Sequence, residues 1–196
     1  MKMFEKHKIT LASASPRRRE LLKGLDIDFT VEVAKDEKEA YSEGMAREDV
    51  PEFLARHKSE SFHRPLEQNE ILITADTLVF VGGEIIGKPK DRADAVRMLE
   101  MLSGGVHKVI TGVYLRSTTK TRSFSVCTEV TFKQLKKEEI DYYIDRYKPY
   151  DKAGAYGVQE WIGYIGITGI NGSYYNVMGL PVQRLYEELR KFVSED

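Results

Sequence analysis

The 196-residue chain sets 30 lysines and arginines against 31 aspartates and glutamates, for a formal net charge of −1. With 41% hydrophobic and 31% charged residues it can bury a core, which excludes a disordered polymer, and no global basic field draws it to nucleic acid or an anionic membrane. Its single cysteine, Cys127, excludes a disulfide framework and a cysteine-held zinc cluster.

Cys127 falls inside an apparent strand and reads as a small core residue in a reducing compartment. The first residues lack the apolar core of a signal peptide, and no stretch approaches the roughly 20 apolar residues of a membrane span. The expectation is a cytoplasmic protein with no membrane and no nucleic-acid partner. The length suits one domain, residues 1–196.

Residues 8–12 read as a short strand, and Leu21, Leu22 and Leu25 mark the apolar stripe of a following helix. Ser15 suits that helix's N-cap and Pro16 its first position. The run Arg17-Arg18-Arg19 therefore sits where a strand turns into a helix. A helix start favours an anion through its unbonded N–H groups and dipole, and guanidinium forks suit phosphate. Helical neighbours point about 100° apart, so these cations cannot all face one ligand, and a solvated face is the plain alternative.

Further along, residues 28–33 read as a strand, followed by the acidic run Asp36-Glu37-Lys38-Glu39 in a loop. A helix is expected over 47–63 and a buried strand over Ile71–Ala75. Gly82-Gly83 between Leu78–Val81 and Glu84–Ile86 signals a hairpin. Asp91 can cap a helix that carries Ala95, Met98, Leu99 and Leu102. Strands are expected over 108–116 and 122–132, and a helix over 135–147. Two further segments, 161–168 and 173–177, flank an Asn171-Gly172 turn, and Pro181 opens a last helix. The sum is an α/β fold with a mixed, partly antiparallel sheet flanked by helices.

Asp76 ends an apolar strand, where an acid can bind a divalent cation or accept a proton from water. A turn aspartate is the structural alternative. Lys88, between Gly87 and Pro89, has a constrained backbone that can aim it into a cleft; Lys58 lies on the helix 47–63, and either lysine can simply be solvated. His107 follows Ser103-Gly104-Gly105 and can be satisfied by backbone alone. Without a His-x-x-x-His or Glu-x-x-His pair, a histidine-held metal is not expected. Asp151–Gln159 is rich in small residues that let backbone approach a flat ligand, and Gln159 has both a donor and an acceptor for a base edge. Neither GxGxxG nor GxxxxGK[ST] is present.

Together these segments resemble the Maf family of nucleotide pyrophosphatases. The stretches that carry the likeness are LASASPRRRELL (11–22), ADT (75–77), GEIIGKP (83–89), LSGGVH (102–107), DKAGAYGVQ (151–159) and GSYYNVMGLP (172–181). The resemblance implies a Maf/ITPase-like fold with two lobes around a deep cleft. It implies hydrolysis of a nucleoside triphosphate to a monophosphate and pyrophosphate, with Mg2+ or Mn2+, in a cytoplasmic homodimer. Arg17, Thr77 and Gln159 match the subgroup acting on dTTP and UTP. The 7-methyl-GTP subgroup typically has Trp, Gln and Glu at those positions.

Carried over, Asp76 becomes the proton acceptor, and Ser13, Arg17, Arg18, Lys58 and Lys88 the triphosphate contacts. Thr77 and Gln159 become base contacts, and Asp76 with Glu37 the cation ligands. One departure stands out: Glu37 matches the first of two adjacent acids in related sequences, and Lys38 replaces the second. The rival readings are a 7-methyl-GTP-type pyrophosphatase and a non-catalytic, nucleotide-sensing regulator of cell division.

Overall fold

The computed structural model describes residues 3–33, 41 and 44–194. Its strands are β1 (Lys8–Ala12), β2 (Phe29–Glu32), β3 (Glu70–Val81), β4 (Glu84–Ile86), β5 (Val106–Arg116), β6 (Thr121–Phe132) and β7 (Ile167–Asn171). The helices are α1 (Pro16–Lys23), α2 (Val50–Glu60), α3 (Arg92–Leu102), α4 (Lys137–Tyr147), α5 (Trp161–Gly166), α6 (Tyr174–Met178) and α7 (Val182–Ser194). One mixed sheet runs β2-β1-β3-β5-β6-β7, with β4 paired to β3. Among the described residues no helix is long and apolar enough to cross a membrane.

The chain divides into two compact units. The first comprises the residues up to Asp76, Thr111–Val126 and the chain from Gly179 onward; the second comprises Thr77–Ile110 and Cys127–Met178.

In the first unit β1 pairs in parallel with β2 on one edge and β3 on the other, with Ile9 opposite both Phe29 and Ile71. A strand paired on both edges is read as a near-continuous buried run, and Ile9 to Ala12 are all buried. Ala12, Phe62 and Leu72 form one apolar cluster. α7 buries Leu185, Leu189 and Phe192 along one stripe, spaced three and four apart.

A buried ion cluster stitches these strands together. The Glu70 side chain, at the start of β3, has no exposed surface. It accepts from both terminal nitrogens of Arg64 (2.8 and 2.7 Å), from the Thr10 hydroxyl (2.6 Å) and from the Glu67 amide (3.0 Å). Arg64 also donates to Glu32 of β2. The Arg64 hydrogen bonds, against the cost of burial and with help from Thr10 and Glu67, hold the Glu70 carboxyl down at about 2.

The second unit packs Val79, Leu99, Leu102, Phe132, Tyr143, Ile162 and their neighbours into its own core. The Gly82-Gly83 hairpin forms as expected, with Val81 opposite Glu84. So does the α3 cap, in which Asp91 Oδ1 accepts from the Asp94 amide at 2.8 Å.

Three expectations change. The apolar runs 71–75 and 78–81 are one strand, β3. Both segments flanking the Asn171-Gly172 turn carry a helix: Trp161–Gly166, with Ile162 and Gly166, four apart, as its buried positions and a strand only from Ile167, and Tyr174–Met178 after the turn. Cys127 is exposed, because β6 alternates and Thr128 takes the inward position, where its hydroxyl meets Asn176.

Glu70 is ionised when folded at pH values where an unfolded glutamate takes a proton, so its contribution is present above about pH 4.5 and is lost as pH falls toward about 2. Acid unfolding followed by circular dichroism should show that loss. Glu70→Gln should flatten the acid limb and cost about 3 kcal/mol at pH 7, as breaking a buried pair does.

Candidate active site

β3 turns alternate side chains to opposite faces, so Thr74 and Asp76 share one. α2 covers that face. The Thr74 hydroxyl donates to the Ala55 carbonyl at 2.6 Å, and one helical turn later Lys58 Nζ donates to Asp76 Oδ1. Asp76 is 5% exposed and its Oδ2 is buried. The Lys58 side chain remains about a third exposed.

α2 is clamped at both ends to stand this close. A Cβ on Gly112 of β5 would lie 2.3 Å from the Glu52 amide nitrogen, so only glycine admits the helix's first turn there. At the far end Arg116 Nε donates to the Ser59 hydroxyl at 2.9 Å.

The β1–β3 register brings the arginine motif to the same place. Leu11 is opposite Ile73, so the loop leaving β1 through Ser13 starts at the level of Ala75. Ser13 Oγ accepts from the Ser15 amide (3.2 Å), and Ser15 Oγ caps α1 by accepting from the Arg18 amide (3.4 Å). The Arg18 guanidinium donates to the carbonyls of Ala75 and Gly179, both at 2.8 Å. Arg18 is thereby anchored next to Asp76. Arg17 is half-buried and Arg19 exposed, as expected for neighbours pointing different ways around a helix.

Ser13, Arg17, Arg18, Lys58 and Asp76 thus belong to the first unit, and Thr77, Lys88 and Gln159 to the second. Thr77 is half-buried in β3. Lys88 is exposed just after β4, and the Gly87 carbonyl before it accepts from the Gly154 amide at 3.0 Å. That bond joins the lysine's loop to the Asp151–Gln159 segment. Gln159 Oε1 is buried and has no hydrogen-bond partner among the described residues, a cost a protein rarely bears without a use. Glu37 lies outside the described residues.

His107 is not satisfied by backbone alone. Its Nε2 shares a 2.7 Å hydrogen bond with the Tyr156 hydroxyl, its ring stacks on Phe132, and burial pushes it down to about 4. It is a neutral brace under the 151–159 segment.

Among the described residues no three His, Cys, Asp or Glu gather into a metal-binding group. A dedicated protein cage is not what a nucleotide-bound cation requires, since Mg2+ is commonly held by one or two carboxylates plus substrate phosphates. Asp76, with a nearly buried carboxylate and cationic Lys58 and Arg18 near it, fits that donor set. Tyr143, Lys152 and Glu160, which bond to one another beside Gln159, are not legible in the sequence as site residues. The helical spacing of Tyr143 with Ile140 and Ile144 was the one available signal that it faces inward.

The family model described as Maf-like protein matches residues 8–192. A protein of Parabacteroides distasonis named dTTP/UTP pyrophosphatase is 54% identical over 189 residues, 96% of this chain and 98% of that protein. One of the same name from Porphyromonas gingivalis is 54% identical over 191 residues, 96% of each. Among solved structures, a HAM1 protein from Coxiella burnetii aligns over 97% of this chain and 100% of that chain, with 14% identity and a TM-score of 0.47. With a family model spanning nearly its whole length and relatives this similar along it, the chain belongs to the Maf family.

Proposed function

We propose that this chain hydrolyses dTTP and UTP between the α and β phosphates, releasing the monophosphate and pyrophosphate. The observation that carries the reading is the nearly buried Asp76 carboxylate held by Lys58, with Arg18 anchored alongside. The names of the 54%-identical relatives support the substrate choice.

The triphosphate settles at the start of α1, taken up by Ser13, backbone N–H groups and Arg17. Arg18 contributes positive charge from its fixed position, and Lys58 and Lys88 neutralise further phosphate oxygens. Asp76 accepts the proton of the water that attacks the α phosphorus. A divalent cation, Mg2+ or Mn2+, held by Asp76 with Glu37 as second acid, would neutralise charge on the phosphates. Thr77 and Gln159 read the base. The whole chain acts as one catalytic domain, in the cytoplasm and as a homodimer. Exposed aromatic side chains such as Tyr164, Tyr175 and Tyr142 suit a protein partner.

A nucleotide panel scored by released pyrophosphate checks the substrate. dTTP and UTP should turn over faster than dATP, GTP or 7-methyl-GTP at equal concentration. Preference for the methylated guanine would overturn the reading. Asp76→Asn should lower kcat by about a hundredfold or more, the scale of a lost general base; near-normal turnover would remove Asp76 from that role. Chelation of divalent cations should abolish hydrolysis while nucleotide protection against thermal unfolding is weakened. Nucleotide binding with no hydrolysis under any cation would mark a sensor instead.

A further inference from the structure

A polar network anchors the backbone on both sides of Gln159. The Tyr143 side chain, wholly buried on α4, accepts at its hydroxyl from the Gly157 amide (3.0 Å) and donates to Glu160 Oε2. The other Glu160 oxygen pairs with Lys152 Nζ at 3.1 Å, and that nearly buried ammonium also meets Asp151 at 2.7 Å. The segment from Lys152 to Glu160 is therefore tied end to end through side chains. Its backbone is tied as well: the Glu160 amide donates to the Gly157 carbonyl at 3.0 Å. On the α5 side, a Cβ on Gly163 would lie 1.9 Å from the Val158 carbonyl oxygen, so α5 sits directly against the residue before Gln159. Burial, reinforced by Glu160, pushes the Tyr143 phenol up, so it stays a neutral donor.

Between these anchored neighbours Gln159 carries a buried amide oxygen with no protein donor among the described residues. Such an acceptor suits an N–H. Uracil and thymine carry one at N3; cytosine has a lone pair there, which the oxygen repels. A site whose buried polar group is left unpaired by the wrong ligand discriminates strongly.

We infer that Glu160, through Tyr143 and Lys152, is a positioning residue that holds the Gln159 oxygen where it accepts from the N3–H of a 4-oxo pyrimidine. The inference rests on the pyrimidine reading above and adds residues that never touch the substrate. Glu160 acts through Gln159, so the effects of altering the two must not add.

The test is a double-mutant cycle read as KM, kcat and the UTP-to-CTP preference. Glu160→Ala should raise KM for UTP about tenfold, shrink the preference over CTP and leave kcat within about twofold. In a Gln159→Ala background the same change should alter neither KM nor preference. Tyr143→Phe, which keeps the buried ring and loses both hydroxyl bonds, should repeat the pattern and stands in if Glu160→Ala does not fold. Arg92→Ala, which breaks an exposed pair with Asp141 and Asp145 in the same unit, should lower thermal stability and leave the preference unchanged. An effect of Glu160→Ala or Tyr143→Phe that persists at full size without Gln159, falls equally on UTP and CTP, or is absent overturns the inference. Wild-type protein that hydrolyses neither UTP nor dTTP would overturn the pyrimidine reading itself.

Discussion

The contact between Lys58 and Asp76 is the constraint around which the first unit is organised. A nearly buried carboxylate is costly unless it has cationic or hydrogen-bonded company. The fold supplies it by bringing α2 against β3, and several otherwise unremarked residues serve that approach. Gly112 removes the side chain that would block the first turn of α2, Thr74 binds its middle, and Arg116 binds its end. Arg18 then reaches from α1 to the Ala75 carbonyl, which fixes the arginine motif one residue from the acid. Each of these contacts is local in space and remote in the chain.

The two units handle buried polarity differently. In the first, charges are compensated within the protein: Glu70 and Arg64 satisfy each other, and Asp76 has Lys58. In the second, the Tyr143–Glu160–Lys152 network is well satisfied, yet the neighbouring Gln159 has a buried amide oxygen with no protein donor among the described residues. An unmet acceptor between hydrogen-bonded neighbours suits pre-organised recognition, since ordering before the ligand arrives lowers the cost of binding. His107 and Tyr156 add a neutral prop beneath the same segment.

Several side chains and segments take their places through geometry that composition does not carry. Tyr143 is wholly buried on α4, in line with its helical spacing with Ile140 and Ile144, whereas the adjacent Tyr142 keeps nearly half its surface. Adjacent residues on a helix face different directions, so composition alone could not separate them. Cys127 lost its core place to Thr128 by one step of strand alternation. Trp161–Gly166 has the apolar content of a strand, but the Val158 carbonyl pressing on Gly163 and the core around Ile162 select a helical turn.

By itself the sequence determined most of the elements and the family resemblance: caps, stripes, hairpin glycines and the order of short motifs depend on neighbouring residues and survive without coordinates. The Ser15 and Asp91 caps, the β3–β4 hairpin and the α3 stripe follow from such spacing. Only the tertiary structure decided which distant side chains meet. That Lys58 pairs with Asp76, that Arg18 is anchored on backbone carbonyls, and that Glu160 meets both Tyr143 and Lys152 all depend on strand register and helix approach. Those are set by packing across many residues, which no local pattern encodes.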